Sequence, residues 1–149
     1  MKFTLNKSTS VVVYSHLNRV KLEFIPPLNE VVDLNEYAIK IFSKAQRVEA
    51  WDYEDLIGLI AFYINSVENL IYITNVSIEK KFQGKKIAQK LMNKVFKIAY
   101  DNKYDKIKLQ VFNGNNKAIE FYKKLNFEIK SNNEDYIIME YLMKINYGE

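Results

Sequence analysis

Val76-Ser77-Ile78-Glu79-Lys80-Lys81-Phe82-Gln83-Gly84-Lys85-Lys86-Ile87-Ala88 is the stretch on which the fold turns. Apolar residues lead into it from Leu70 as a strand, and Gln83-Gly84 interrupt them. Ile87, Leu91, Val95 and Ile98 then recur at helical spacing, which predicts a helix over about 85–103. A strand that turns tightly into a helix leaves successive amide N–H groups pointing into one space. The helix dipole adds positive potential there, so the junction is a candidate cradle for a phosphate group.

Working outward, residues 3–5 form a short strand. Ser8 or Thr9 caps a helix to about Leu22, with Val12, Val13, His16, Leu17 and Val20 on one side. Phe24-Ile25-Pro26-Pro27-Leu28 breaks it, and Asp33 caps a second helix to about Ala45. Strands follow at 47–51, 56–64 and 70–79, the second apolar enough for burial on both faces. Beyond the long helix come a strand at 106–112, a helix at about 116–125 and a final hairpin of 127–130 with 136–145. The order β-α-α-β-β-β-α-β-α-β-β predicts an α+β protein with a mixed central sheet of about six to seven strands and about four helices.

A chain of 149 residues, with 48% hydrophobic and 27% charged residues, fits one globular domain over 1–149. The absence of cysteine excludes a disulfide framework, a thiolate metal site and a cysteine nucleophile. The single histidine, His16, cannot supply the clustered imidazoles of most zinc sites, so no metal is expected, and His16 reads as a packing or surface residue. No apolar run is long enough for a membrane helix and no signal peptide is legible, so the expectation is a cytoplasmic chain with no membrane partner. The net charge is +4, and ten lysines fall between Lys80 and Lys108, a field suited to a polyanionic ligand. Arginine is scarce and RNA- or DNA-binding motifs are absent, so no nucleic-acid partner is expected.

A second segment is Leu109-Gln110-Val111-Phe112-Asn113-Gly114-Asn115-Asn116-Lys117-Ala118-Ile119-Glu120-Phe121-Tyr122-Lys123-Lys124-Leu125-Asn126-Phe127. It resembles the L-x-V-x-x-x-N-x-x-A-x-x-x-Y-x-x-x-G-F signature of the GNAT N-acetyltransferase superfamily. The opening stretch resembles that superfamily's acetyl-CoA loop, V-x-P-x-x-R/Q-G-x-G-x-A/G. The element order agrees along the whole chain. Three positions depart from the pattern: Lys86 stands for a loop glycine, Asn126 for the glycine of the G-F pair and Lys80 for the proline.

The resemblance implies an acetyl-CoA-dependent N-acetyltransferase with splayed central strands and no acyl-enzyme. Backbone groups of Val76, Ser77 and Ile78 would pair with the pantetheine arm, and the amide near Ile78 would polarise the thioester carbonyl. Gln83, Gly84, Lys85, Lys86, Ile87, Ala88 and Gln89 would wrap the pyrophosphate. Asn115 would bond the pantetheine, and Tyr122 would protonate the departing thiolate. Read without the resemblance, Asn115 is a helix cap, Gln83 a surface residue and Tyr122 a core residue.

Many family members carry a carboxylate base where this chain has Asn75 and Gln110, so Glu49, Glu54 and Asp55 are fallback bases. The missing base favours acceptors of low pKa, such as α-amines or amino sugars, over lysine side chains. The acceptor pocket is expected from the first two helices, the 52–55 turn and the C-terminal hairpin, with Tyr37, Tyr53 and Tyr136. The apolar strand 136–145 suggests a homodimer paired through its edge. A member that binds CoA without catalysis is the alternative reading.

Overall fold

The computed structural model describes residues 1–143. Seven strands form one sheet: β1 (Lys2–Leu5), β2 (Gln46–Asp52), β3 (Asp55–Asn65), β4 (Leu70–Ile78), β5 (Lys106–Phe112), β6 (Glu128–Asn132) and β7 (Tyr136–Leu142). Their spatial order is β1-β2-β3-β4-β5-β7-β6. The helices are α1 (Ser10–Val20), α2 (Leu28–Val31), α3 (Leu34–Lys44), α4 (Ile87–Asp101) and α5 (Asn116–Lys124). The predicted mixed sheet and four long helices are present. The one-turn α2 is additional; it starts directly after Pro26-Pro27, where proline's fixed φ suits a helix start.

Helices cover both faces of the sheet. Val13 and Leu17 of α1 and Ala38 and Ile41 of α3 pack on Leu59 and Ala61. On the other face, Ile87, Leu91, Met92 and Val95 of α4 and Ile119 of α5 pack on Ile60, Phe62, Ile71 and Ile107. β3 is therefore apolar on both sides, as its near-continuous run of apolar residues requires. In α4 the buried stripe runs through Ala99, and Ile98 is only half-buried.

β4 and β5 are the only parallel neighbours among the described strands, and they pair only from Leu70–Ile73 against Lys106–Leu109. Beyond Ile73 they diverge. The antiparallel ladder on the other side of β4 sets the direction of the free groups. Glu79 N–H donates to Ile57 O at 2.8 Å, and Ser77 lies opposite Leu59. Alternation then turns the N–H and C=O of Val76 and Ile78 away from β3, into the gap facing β5.

β7 is paired by β5 on one side and β6 on the other, so Ile137–Glu140 offers no free edge. This removes the expected edge contact of a dimer over Ile137–Glu140; the strand's predicted end, 144–145, lies outside the described residues. Among the described residues no helix is long and apolar enough to cross a membrane.

Candidate active site

A cavity of about 580 Å³ opens where β4 and β5 part. Its walls are Ile73–Ile78 of β4, Leu109–Phe112 of β5, the N-terminal turn of α4, the inner side of α5 and the connection from α1 to α2. Val76, Ser77, Ile78, Gln83, Gly84, Lys86, Ile87, Ala88, Gln89, Asn115 and Tyr122 all line it. Lys85 does not; its ammonium lies over the Phe82 ring, 5.6 Å from the centroid.

The α4 junction owes its shape to three positions. Gly84 has φ +83, and a Cβ there would meet nothing within 4 Å, so conformation and not space selects glycine. Lys86 is also left-handed, at φ 61 and ψ 24, and forms the N-cap of α4 without a side-chain bond. At Gly58 the reason is space: an added Cβ would stand 3.0 Å from Ile78 Cδ1 and 3.3 Å from Ile87 Cγ2. Its absence lets the first turn of α4 seat against the end of β4.

The first bond of α4 runs from Lys90 N–H to Lys86 O at 3.1 Å. Among the described residues, the amides of Ile87, Ala88 and Gln89 have no hydrogen-bond partner, and the first turn carries no acidic residue. These donors face the cavity beside Lys86, with Lys90 and Lys94 exposed further along the helix.

Lys86 is the costly departure from the glycine pattern, because a Cβ in the left-handed region is disfavoured by roughly 1–2 kcal/mol. Glycine loses more chain entropy on folding, which offsets part of that. Lys86→Gly should therefore raise unfolding stability by roughly 0.5–1 kcal/mol in urea titration. A loss of stability would contradict the strain argument. Asn126, at φ 71, ends α5 in the same conformation, and asparagine tolerates it better than most side chains.

Asn115 caps α5, its Oδ1 accepting from Ala118 N–H at 3.2 Å. That bond uses the carbonyl and leaves the amide nitrogen on a residue at the cavity wall. Gln83 is more than a surface residue: its Nε2 donates to Ile78 O at 3.1 Å and to Glu23 Oε1 at 3.2 Å, tying the loop to β4 and to the α1–α2 connection. Tyr122 is 8% exposed, packed against Phe121 and Phe127, and burial raises its pKa above the ordinary tyrosine value. It is therefore protonated at neutral pH.

The fallback bases stand elsewhere. Glu49 is fully buried between β1 and the start of α1, while Glu54 and Asp55 are exposed in the β2–β3 turn; none of the three lines the cavity. Asn75 and Gln110 do line it, so the positions expected to hold an acid carry amides inside the site. The 52–55 turn is also absent from the wall, and Tyr53 is 93% exposed. Tyr37 is held by Thr74 instead, its hydroxyl donating to the Thr74 carbonyl at 2.9 Å. Of the three expected tyrosines only Tyr136 lines the cavity.

Sequence reasoning missed Glu23, Phe24, Ile25, Pro26, Leu28 and Val31 as wall residues. The Pro26-Pro27 pair was legible as a break, but nothing local shows where the broken segment lands.

The Acetyltransferase (GNAT) family matches residues 17–127. No curated protein sequence matches the chain. Among solved structures, the chain is similar to the PaiA N-acetyltransferase of Thermoplasma acidophilum in complex with coenzyme A, at 16% identity and TM-score 0.74, covering 95% of this chain and 99% of that one. It is similar to the ribosomal-protein alanine N-acetyltransferase of Escherichia coli at 14% identity and TM-score 0.76, covering 95% and 94%. A spermidine N-acetyltransferase chimera from Vibrio cholerae matches at 21% identity and TM-score 0.77 over 100% of both chains. These likenesses agree on the fold, and the family match spans the loop, the splayed strands and the α5 signature. The chain belongs to the GNAT acetyltransferase family.

Proposed function

We propose that this protein transfers an acetyl group from acetyl-CoA to an amine acceptor, by direct attack in a ternary complex. The acceptor is a small molecule, an amino sugar or a peptide α-amine. The observation that carries this reading is the uncapped start of α4 opening onto a gap between diverging strands. Free amides beside Lys86 suit a pyrophosphate. The N–H and C=O of Val76 and the N–H of Ile78, turned into the gap, suit the amide-bearing pantetheine arm. A pre-existing set of unsatisfied donors and acceptors is a fit to that ligand that a closed strand pair would not offer.

Acetyl-CoA, when bound, supplies an acetyl thioester whose carbonyl carbon bonds the amine nitrogen while the C–S bond breaks with its electron pair on sulfur. The amide of Ile78 is the donor assigned to the carbonyl oxygen, where negative charge develops. Asn115 holds the pantetheine through its free amide nitrogen. Tyr122 is assigned as donor of the proton that ends on sulfur; the nitrogen gives up its surplus proton to water, and water returns one to Tyr122, so the products are the amide and the free thiol with the tyrosine restored.

A thermal-shift titration tests the ligand. Acetyl-CoA at 100 times its dissociation constant adds about 2.7 kcal/mol. That corresponds to roughly 5–10 °C for a domain of this size. ATP should not reproduce the shift. Absence of a shift with acetyl-CoA would remove the cofactor assignment.

A second reading is a CoA-binding module without catalysis, favoured by the amides of Asn75 and Gln110 inside the cavity. Thiol release from acetyl-CoA with a panel of amines separates the two.

A further inference from the structure

One polar chain beneath the cavity has a hydrogen count that does not close as its oxygens first stand. His16 in α1 is fully buried. Its Nδ1 is 2.9 Å from Leu56 O, an atom that can only accept, so Nδ1 carries a proton. Its Nε2 is 2.8 Å from Ser77 Oγ, and Ser77 Oγ is in turn 2.8 Å from Asn75 Oδ1. Ser77 has one hydroxyl proton. If it goes to Asn75, Nε2 must also be protonated, and a buried imidazolium would stand near Arg19.

Burial opposes that charge and pushes His16 down to about 4, so the ring is neutral at neutral pH. The hydroxyl proton of Ser77 then belongs to His16 Nε2. Asn75 must present its amide nitrogen to Ser77, with its oxygen turned to the other side. The geometry agrees: with the oxygen facing Ser77, the buried Nδ2 of Asn75 makes no hydrogen bond of good geometry, although the Asn75 side chain lies near enough to the Tyr37 hydroxyl to act on it. Exchanging the two ends of the amide, which differ only in hydrogen-bond logic, gives that nitrogen Ser77 as its acceptor. Ser77 Oγ is left with one free lone pair, on a residue of the cavity wall.

One side of the cavity is apolar. Phe24, Ile25, Pro26, Leu28 and Val31 form the side contributed by the α1–α2 connection, with Ile25 and Val31 each 52% exposed at the mouth. The charged residues lining the cavity are Glu23, Lys86 and Lys117. Glu23 already receives Gln83. A polyamine or amino sugar with several ammonium groups would meet one engaged carboxylate against two lysines.

We propose that Ser77 Oγ is the docking atom for the acceptor, receiving an N–H of a primary amine carried on an apolar body that rests against Phe24, Ile25, Pro26 and Leu28. This assignment rests on the acyl-transfer reading above and narrows it against amino sugars. His16 is a positioning residue: by taking the Ser77 proton it keeps the serine an acceptor. The apolar wall disfavours an ammonium ion by desolvation, so the amine sits there neutral. A site that selects the neutral amine does not need a carboxylate at Asn75 or Gln110.

Phenethylamine is the probe and spermidine the polycationic counter-probe, each used with acetyl-CoA and the full chain. Phenethylamine should turn over with the lower KM. Ser77→Ala should raise its KM about tenfold and keep the KM for acetyl-CoA within about twofold, the loss of one hydrogen bond at the acceptor alone. His16→Phe should repeat that effect. His16→Gln, whose amide can donate to Leu56 O and accept from Ser77, should restore the wild-type KM. The imidazole 15N signals should report a neutral ring whose Nε2 moves when phenethylamine is added.

Preference for spermidine, failure to bind phenethylamine, or an unchanged phenethylamine KM in Ser77→Ala overturns the assignment. Loss of the acetyl-CoA thermal shift would instead sink the acyl-transfer reading. Phenethylamine binding, followed at His16 Nε2, would still decide the docking.

Discussion

Tyr122→Phe should lower turnover by about 100-fold, the lower end of what a positioned proton donor contributes. The acetyl-CoA KM and the unfolding midpoint should stay close to those of the unaltered protein. The reason lies in how α5 holds the ring. Phe121 and Phe127 pack against it with centroids 5.2 and 5.6 Å away, and phenylalanine preserves both contacts. The only change is the hydroxyl, carried by a residue of the cavity wall. Burial raises the tyrosine pKa, whereas a thiol titrates near ~8.5. In the proposed role, full proton transfer would be uphill until charge had built up on sulfur, and the hydroxyl would act first as a hydrogen-bond donor to that charge. Steady-state kinetics with saturating acetyl-CoA is the measurement, and turnover within about twofold of wild type would take Tyr122 out of the chemistry.

Glu49→Gln should cost about 3–5 kcal/mol of unfolding stability, the range for breaking a buried ion pair from one side. Glu49 is fully buried and accepts from Thr4 Oγ1 at 2.7 Å, Lys7 N–H at 2.8 Å, Ser8 N–H at 2.9 Å and the Ser8 hydroxyl. Arg47 Nε lies 3.5 Å from the same carboxylate and is itself buried. Burial pushes the Glu49 carboxyl up, but the bonds from Ser8, Thr4 and the two amides outweigh it and hold the pKa below the usual value. Because the folded pKa is the lower one, this stabilisation is present at neutral pH and is lost as acid protonates the group. Glutamine keeps the volume but turns an NH₂ toward donors and leaves Arg47 without its charge partner. The midpoint should fall by roughly 6–20 °C. Glu54→Gln in the exposed turn should change stability by no more than about 0.5 kcal/mol and serves as the control. A Glu49→Gln midpoint as high as that of the control would show that the carboxylate does not hold β1 to α1.

Glu49 also shows where local reading stops. In the sequence it is one acid among several near a turn, and it was a candidate base. Its four donors come from residues 41–45 positions earlier in the chain, brought there only when β1 pairs with β2. Lys86 shows the opposite case. The pattern marks it as a glycine position, and its φ of 61 gives the reason.

What the sequence determined by itself was everything carried by near neighbours. The apolar spacing of Ile87, Leu91, Val95 and Ile98 specified α4, and alternation and β-rich runs specified the strands. Asn115 and Asn126 marked the two ends of α5, through a side-chain cap and a left-handed turn. Each of these is a local torsional or periodic constraint. Tertiary structure alone decided the divergence of β4 from β5 after Ile73, because strand pairing is a choice among distant partners. It alone decided that Phe24-Ile25-Pro26 folds across the mouth of the cavity, and that His16 and Ser77, 61 residues apart, share one proton. Burial then fixed which atom holds that proton, since charge on the ring is expensive only once the surrounding chain has removed water from it.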